Sequence, residues 1–355
     1  MKRQGQKTGK RKILLPLIAA LVFCSAIISV SIYFLTKQKK EANQLDAIIK
    51  EKTEGKLRKI TIAQFGHVFV YLPIYIAKDK GFFEQEGLDV TYVSTGGDEK
   101  TWAAVTSGSA QFGVADPTFV AIAREKGDKS GRIIASIIDG VPFWGVTRKK
   151  ISIKKISDLS NLRVATYPAP STNYALMNRL IKEHRLNTRI VQGAFGTLLA
   201  IMERGRADMA MELEPTTSLA VRQGYQVVFS YKNLYGDFAL TGLSTTNSFI
   251  NSHPDICQKV VQALQKAYKF AYHDLKGAIE VANKQFPDID KDAVQMGVKR
   301  MIEDKIIPRS VVVKEKSWNE AISLRRHIGD LKSNAPFSEN VDNQFSEIAV
   351  QSVSE

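Results

Sequence analysis

Cysteine is nearly absent from this chain, whose 355 residues include only Cys24 and Cys257. Cys24 lies in a long apolar run and Cys257 in a distant helical segment, so no structural disulfide is expected even in an oxidising compartment. The sequence also lacks a Cys/His spacing typical of a metal site, a phosphate-binding glycine motif and a recognisable Ser/His/Asp arrangement. These absences predict a protein that is not an enzyme and that uses neither a metal nor a cofactor.

Acidic residues are scarce at the amino terminus, which explains most of the formal net charge of +14. Residues 1–59 contain 14 Lys or Arg against 4 Asp or Glu, which leaves a net charge of only +4 for all later residues. No Lys/Arg run with interleaved aromatic residues occurs in that later part. The basic composition therefore gives no reason to expect a nucleic-acid partner.

Charged residues are missing from the 23 residues between Ile13 and Leu35. A run of this length can cross a bilayer, and the basic segment 1–12 before it predicts a cytoplasmic amino terminus with everything after Leu35 exported. A cleaved signal peptide is the alternative, although its apolar region is usually about 7 to 15 residues long. Lipidation at Cys24 is not expected, because Phe23 stands where that signal needs a small residue.

We therefore expect residues 13–35 to be a signal anchor, a transmembrane helix that makes the chain a single-pass protein of the inner (cytoplasmic) membrane. Residues 36–56 are polar and rich in Lys, Glu and Gln, and they are predicted to be a tether, with a surface helix as the alternative. The body that follows would lie on the periplasmic, extracytoplasmic side. Its length is enough for two domains of about 100 to 200 residues each.

The stretch from Lys59 to Val93 contains a strand–helix–strand pattern. Residues 60–63 read as a short buried strand, residues 73–83 have a broad apolar face with Gly87 as a stop, and residues 88–92 alternate between apolar and polar. Such a βαβ unit is normally right-handed and parallel. Its first loop lies at the carboxyl edge of the sheet, where ligands bind.

Two segments resemble a known family. Residues 75–90, YIAKDKGFFEQEGLDV, resemble the A-x-x-x-G-F-F-x-x-x-G-L-D-V segment of bacterial ABC-transporter substrate-binding proteins for thiamine-pyrimidine precursors, sulfonates and nitrate. Residues 107–116, SGSAQFGVAD, resemble a second segment of that family, and residues 155–165 resemble its entry into the second domain. The chain departs from the family at residues 166–174, where two prolines replace a glycine-bearing turn.

The resemblance implies a type II periplasmic binding protein, an α/β fold of two lobes joined by two hinge crossings. Lobe I is predicted to comprise residues 57–143 plus 240–333, lobe II residues 144–239, and residues 334–355 a C-terminal tail. The crossings are expected within Val141–Arg148 and Phe238–Phe249. In this family the lobes close over a small-molecule ligand and then dock onto an ABC permease that is coupled to an ATPase subunit.

Candidate ligand contacts follow the predicted strand ends and helix starts. In lobe I they are Gln64, Phe65, His67, Tyr71, Gly97, Trp102, Asp116 and Thr118, and in lobe II they are Tyr167, Ser171, Thr172, Asn173, Tyr174 and Glu212. Free amides at the helix start near Ser171 can hold a polar ligand group, although simple helix capping explains Ser171 equally well. His67 and Gly97 also have ordinary alternatives, a loop or core histidine and a common βα turn.

The ligand class follows from the residue types. Residues 206–211 resemble the G-x-x-D-A-x strand of the family. In the pyrimidine-precursor branch a Glu after that strand contacts the ligand, and Glu212 is the matching residue. A carboxylate in a partly dry cleft repels anions and accepts hydrogen bonds from an amino group or a ring N–H, while aromatic rings stack on a flat ring. We predict a thiamine-pyrimidine precursor or similar nitrogen heterocycle, with a sulfonate- or nitrate-type anion as the alternative. A lobe-packing tyrosine and a capping carboxylate are the alternatives for Tyr167 and Glu212.

An enzyme is the strongest rival to a binding protein. Thiamine pyrimidine synthase shares this fold and is similar around Gly81. That family uses a Lys on the strand equivalent to residues 111–115 and a cysteine-rich iron motif, and the sequence has neither. A membrane-tethered sensor is the third class, but the chain carries no recognisable signalling domain.

Overall fold

The computed structural model describes residue 37, residues 57–128 and residues 130–353. The predicted segments 1–12 and 13–35 and most of the predicted tether lie outside these residues. Across the described part of the chain, no helix is both long enough and apolar enough to span a bilayer. Residues Arg58–Glu355 form a compact unit of their own.

Two five-stranded sheets organise this unit. Sheet A has the order β2-β1-β3-β10-β4, formed by β1 Arg58–Gln64, β2 Leu88–Ser94, β3 Phe112–Ala115, β4 Gly131–Asp139 and β10 Ala239–Thr246. Sheet B has the order β7-β6-β8-β5-β9, formed by β5 Trp144–Thr147, β6 Arg163–Thr166, β7 Arg189–Gln192, β8 Met209–Glu212 and β9 Gln226–Ser230. Sheet A belongs to lobe I and sheet B to lobe II.

Each sheet is mixed, because one of its strands runs against the others. β10 is antiparallel to β3 and β4, and β5 is antiparallel to β8 and β9. These are the first strands after each change of lobe. The predicted crossings overlap these strands, because half of Val141–Arg148 is β5 and most of Phe238–Phe249 is β10. The residues that link the two sheets are 140–143 and 231–238.

The crossings determine how the sheets face each other. β4 ends at the carboxyl edge of sheet A, where Asp139 pairs with Ala239, and β5 begins at the carboxyl edge of sheet B, where Trp144 pairs with Glu212. The return from β9 to β10 joins the same two edges. The carboxyl ends of the parallel strands in the two lobes therefore meet across a cleft.

An ion network holds the two crossings together. The Lys232 ammonium donates to the Asp139 carbonyl oxygen and to the Asp237 carboxylate, both at 3.0 Å. The Lys314 ammonium contacts the carboxylates of Asp139 and Asp237 at 2.8 Å each. Gly140 (φ +153°) leaves room for this arrangement, because a Cβ there would meet the Lys232 side chain at 2.7 Å.

Helices cover both sheets and account for most of the last third of the chain. They are α1 Leu72–Asp79, α2 Phe82–Gln85, α3 Asp98–Thr106, α4 Thr118–Glu125, α5 Thr172–His184, α6 Leu198–Glu203, α7 Thr216–Arg222, α8 Tyr231–Tyr235, α9 Asn247–Ser252, α10 Pro254–His273, α11 Leu275–Gln285, α12 Lys291–Glu303, α13 Glu315–Ile328, α14 Phe337–Asn340 and α15 Gln344–Ser352. The helix predicted over residues 73–83 is broken at Gly81, whose φ of +70° is left-handed.

The segment predicted as a C-terminal tail contains α14 and α15. Phe345 and Ala349 on α15 are buried in the core of lobe I, and the Ser346 hydroxyl donates to the Ile134 carbonyl oxygen on β4 at 2.6 Å. These contacts make residues 337–352 part of lobe I.

One helix, α13, packs against both lobes. Trp318 and Ile322 belong to a core cluster with Trp102 and Ile133 of lobe I. Leu324 belongs to the main core cluster of lobe II. The spacing of these positions places two apolar stripes on neighbouring faces of the helix, so α13 spans the junction between the lobes.

Candidate functional site

The cleft residues of lobe I that the structure brings together lie at the end of β3. Asp116 accepts a hydrogen bond from the Thr118 amide at 2.9 Å and one from the Thr118 hydroxyl at 2.5 Å. The Asp116 carboxylate also lies 3.5 Å from the Thr172 hydroxyl, which belongs to lobe II. Three predicted site residues from both lobes therefore meet at one point of the cleft.

A fourth residue, Arg325 on α13, joins this group. Its guanidinium is buried, forms an ion pair with Asp116 at 2.5 Å and donates to the Thr118 hydroxyl at 3.1 Å. Burial alone would lower the pKa of Arg325, but the charge and hydrogen bonds of Asp116 outweigh this effect and raise it. Arg325 is therefore a cation in the cleft, neutralised by carboxylates of the protein itself.

Two further lobe I groups lie beside Asp116. Asp98 accepts a hydrogen bond from the Asp116 amide at 3.0 Å, and burial together with the Asp116 charge raises the pKa of Asp98 to about 6. Tyr71 is buried nearby, and burial followed by the charge of Asp98 raises the pKa of its hydroxyl well above the usual value. This corner of the cleft is rich in carboxylates.

Lobe II contributes a buried carboxylate at the end of β8. Glu212 is fully buried, and its Oε2 atom accepts a hydrogen bond from the Tyr167 hydroxyl at 2.9 Å. No hydrogen-bond partner for its Oε1 atom is found among the described residues. Burial raises the pKa of Glu212 to about 7, although the Tyr167 hydroxyl and nearby backbone amides act in the opposite direction. A buried carboxylate oxygen without a partner is a place where a ligand donor would be accommodated.

An exposed aromatic ring extends this group. Phe195, in the loop after β7, is 64% exposed, and its ring centroid lies 5.3 Å from that of Tyr167 at an interplanar angle of 32°. The Glu212–Tyr167–Phe195 group thus combines a hydrogen-bond acceptor with two rings, one of which faces solvent.

The neighbouring acid, Glu214, has a different environment. Its carboxylate accepts hydrogen bonds from Arg300 at 2.6 Å and from the Ser218 hydroxyl at 3.0 Å. Burial raises its pKa, and the positive charge of Arg300 acts against that rise. Glu214 joins lobe II to helix α12, so Glu212 and Glu214 do not form an acid/base pair.

The start of α5 is as predicted, since the helix begins at Thr172. Ser171 is its N-cap and accepts a hydrogen bond from the Tyr174 amide at 3.3 Å. The side-chain amide of Asn173 donates to the Met211 carbonyl oxygen at 2.9 Å, which ties α5 to β8. At this helix start, the Thr172 hydroxyl lies within hydrogen-bond distance of Asp116 in lobe I.

The remaining predicted residues divide into two groups. Gln64 ends β1 and Gly97 precedes α3, both at the carboxyl edge of sheet A. The Gln64 side chain bonds Tyr75 and Ser94, and Phe65 beside it is 38% exposed. His67 instead contacts the end of α11: its Nε2 atom donates to the Gln285 carbonyl oxygen at 3.1 Å, and its ring stacks on Phe286.

Trp102 also lies away from the group formed by Asp116, Thr118, Thr172 and Arg325. It is buried among apolar residues of lobe I, against the backbone of Gly131, where a Cβ would meet its ring at 2.2 Å. The structure therefore places Trp102 in the core.

Sequence reasoning missed Arg325, Asp98 and Phe195. Arg325 lies more than 150 residues after the lobe II residues it contacts, in a helix that read as core, and nothing in its local pattern marks it. Phe195 had a detectable signal, since it lies between Gly193 and Gly196 directly after a strand.

Another open space lies outside the groups described above. A cavity of about 540 Å³ between lobe II and the end of α12 is lined by residues that include Trp144, Lys154, Lys155, Arg300 and Asp304. None of the predicted site residues lines it. The cleft is the better candidate site, because the buried Asp116–Arg325 ion pair meets polar groups of lobe II there.

Two mixed α/β lobes, joined by two crossings and facing each other through their carboxyl edges, define a two-lobed periplasmic-binding-protein fold. The chain matches the NMT1/THI5-like family over residues 68–278 and belongs to it. The family resemblance seen in residues 75–90 and 107–116 is thereby confirmed.

Known relatives are distant in sequence. The chain is 23% identical over 307 residues to YtlA of Bacillus subtilis (strain 168), described as a candidate binding protein, covering 83% of this chain and 91% of that protein. A solved ligand-binding component of an ABC-type import system from Staphylococcus aureus, with zinc bound, is 14% identical at a TM-score of 0.65, covering 82% of this chain and 99% of that one. The alkanesulfonate-binding protein SsuA of Xanthomonas axonopodis pv. citri, bound to MOPS, is 15% identical at a TM-score of 0.62, covering 80% and 98%. At these identities the structural likeness establishes the fold.

Proposed function

We propose that this protein is an extracytoplasmic solute-binding protein, which captures a small molecule between its two lobes and delivers it to an ABC permease. Two observations support the proposal: the fold is shared with components of ABC-type import systems, and polar groups of the two lobes meet where the Asp116–Arg325 ion pair lies beside the Thr172 hydroxyl. Binding would proceed by closure of the lobes about the crossings at residues 140–143 and 231–238. The permease and its ATPase subunit are the partners this function requires.

The ligand that the site supports best is a planar nitrogen heterocycle such as a thiamine-pyrimidine precursor. The observation that carries this choice is Glu212, a fully buried carboxylate. One of its oxygens accepts from Tyr167, and the other has no hydrogen-bond donor among the described residues. An amino group or ring N–H would supply the missing donor. Phe195, which packs against Tyr167 at a tilted angle, offers an exposed ring to a flat ligand.

A sulfonate-type anion is the second candidate, because a buried guanidinium lies in the cleft and a structural neighbour is an alkanesulfonate-binding protein. The local charge favours the heterocycle. Arg325 already pairs with Asp116 and Asp330, and Asp98 lies beside Asp116. An added anion would face uncompensated carboxylates.

Glu212→Ala in the body (residues 57–355) tests the ligand assignment. We expect binding of an aminopyrimidine thiamine precursor, measured by calorimetry, to weaken by about 1.5 to 3 kcal/mol, as for a lost hydrogen bond to a charged group. The control is Glu203→Ala, since Glu203 accepts from the Tyr225 hydroxyl at 2.9 Å on another part of lobe II and copies the chemistry of the Glu212–Tyr167 pair. Tight binding of taurine, nitrate or bicarbonate that ignores Glu212→Ala would contradict the heterocycle.

We also propose that residues 13–35 tether the protein to the inner membrane. The uncharged run of 23 residues after a basic segment supports this. The full-length chain should sediment with membranes, and protease added outside the inner membrane should digest its body. A freely soluble full-length chain would contradict the tether.

A further inference from the structure

The Arg325 guanidinium makes polar contacts with residues of both lobes, in addition to its ion pair with Asp116. Its Nε atom donates to the Thr118 hydroxyl at 3.1 Å, and its Nη2 atom donates to Asp116 at 2.5 Å. On the side of lobe II, Nη2 lies 3.4 Å from the Thr172 hydroxyl and Nη1 lies 3.4 Å from the Pro170 carbonyl oxygen. Only 4% of the Arg325 side chain is exposed. The guanidinium is thus shared by the two lobes.

The distances show which residue is the main counter-ion of the Arg325 guanidinium. The contacts to lobe I are short, whereas both contacts to lobe II are at the long end of the hydrogen-bond range. Asp116 is therefore the primary counter-ion. Its second oxygen, Oδ1, is already occupied by the amide and the hydroxyl of Thr118.

An anionic ligand lying between the lobes would use this same set of donors. A sulfonate or nitrate group needs hydrogen-bond donors and positive charge, and the guanidinium and the hydroxyls of Thr118 and Thr172 would supply both. In this protein all three donors are directed at the Asp116 carboxylate. The position that such a ligand would take is filled by a carboxylate of the chain.

We propose that Asp116 is a built-in anion that determines specificity: it occupies the donors of Arg325, Thr118 and Thr172 and so excludes anionic ligands from the cleft. The inference rests on the proposed binding function and narrows its ligand to one without an anionic group. Asp116 acts by pairing with the Arg325 guanidinium. Removal of the Asp116 carboxylate should therefore create an affinity for anions that the wild type lacks.

The test is Asp116→Ala in the body, residues 57–355, with sodium methanesulfonate as the probe and calorimetry at neutral pH. The wild type should show a dissociation constant weaker than about 1 mM, and the variant should bind at least about tenfold more tightly. The double variant Asp116→Ala with Arg325→Gln should lose the gain. Circular dichroism and the melting temperature report whether each variant is folded, and Asp116→Asn, which keeps the shape of the side chain, serves if Asp116→Ala does not fold.

Asp330→Asn is the matched control. Asp330 also pairs with Arg325, at 3.1 Å, but its side chain is 30% exposed and it contacts neither Thr118 nor Thr172 in the described hydrogen bonds. It should bind methanesulfonate no better than the wild type.

Equal affinity of the wild type and the folded Asp116 variants for methanesulfonate would overturn the inference, as would an equal gain in Asp330→Asn. Failure of the wild type to bind an aminopyrimidine would contradict the proposed ligand instead. The methanesulfonate measurements test the role of Asp116, and the aminopyrimidine measurement tests the proposed ligand. A failure of one can therefore be distinguished from a failure of the other.

Discussion

Glu212 is fully buried, and burial raises its pKa to about 7 from the usual 4.5. The folded protein therefore holds this proton more tightly than the unfolded chain does. The contribution of Glu212 to stability is most favourable below the unfolded pKa. It falls as pH rises between about 4.5 and 7, after which the charged side chain remains buried at a constant cost.

Glu212→Gln should remove this part of the pH dependence. In urea unfolding, the free energy of the wild type should fall relative to the variant as pH rises from about 4.5 to 8, by at most about 3 kcal/mol. Asp98, whose pKa is also raised, is present in both proteins and cancels in the comparison. Parallel pH curves for the wild type and Glu212→Gln would contradict the assigned burial.

Single residues show where sequence reasoning works and where it stops. Tyr167 follows β6 and Glu212 ends the neighbouring parallel strand β8, so their meeting could be predicted from the strand order that the family implies. The positions of His67 and Trp102 depend on packing against helices that are distant in sequence, and the contacts of Arg325 depend on how α13 returns to the cleft. No local pattern contains that information.

At the scale of elements, the helices were easier to predict than the crossings. α5 and α10 show a clear 3.6-residue period, and their positions follow from it. β5 has four residues and β10 has eight, and both are largely buried. In the sequence these runs could not be distinguished from the crossings that were expected at the same positions. Only the pairing with β8 and with β3 and β4 identifies them as antiparallel strands.

Helix α13 is predicted to stabilise the whole body through its lobe II face. Leu324 is buried in the lobe II core, so Leu324→Ala should lower the free energy of unfolding by about 2 to 5 kcal/mol. Ser323→Ala, one position earlier on the exposed side, should change it by less than about 0.5 kcal/mol. Denaturant unfolding of both variants measures these free energies. Equal stabilities of the two variants would show that the lobe II face of α13 does not stabilise the body.

At the scale of the whole molecule, two α/β lobes face each other through the carboxyl edges of their sheets, and α12 and α13 contact both of them. The overall architecture could be predicted because residues 75–90 and 107–116 identify the family. The chemistry inside the cleft could not, since Arg325 and Phe195 reach it from segments that those motifs do not cover.

The central claim is that the cleft binds one nitrogen heterocycle and releases it unchanged. Native mass spectrometry of the body, incubated with equal amounts of an aminopyrimidine thiamine precursor and methanesulfonate, tests it most directly. We expect one aminopyrimidine per protein, no retained methanesulfonate, and full recovery of the unaltered heterocycle after denaturation. Retention of methanesulfonate in place of the heterocycle, or recovery of a chemically altered heterocycle, would contradict the account.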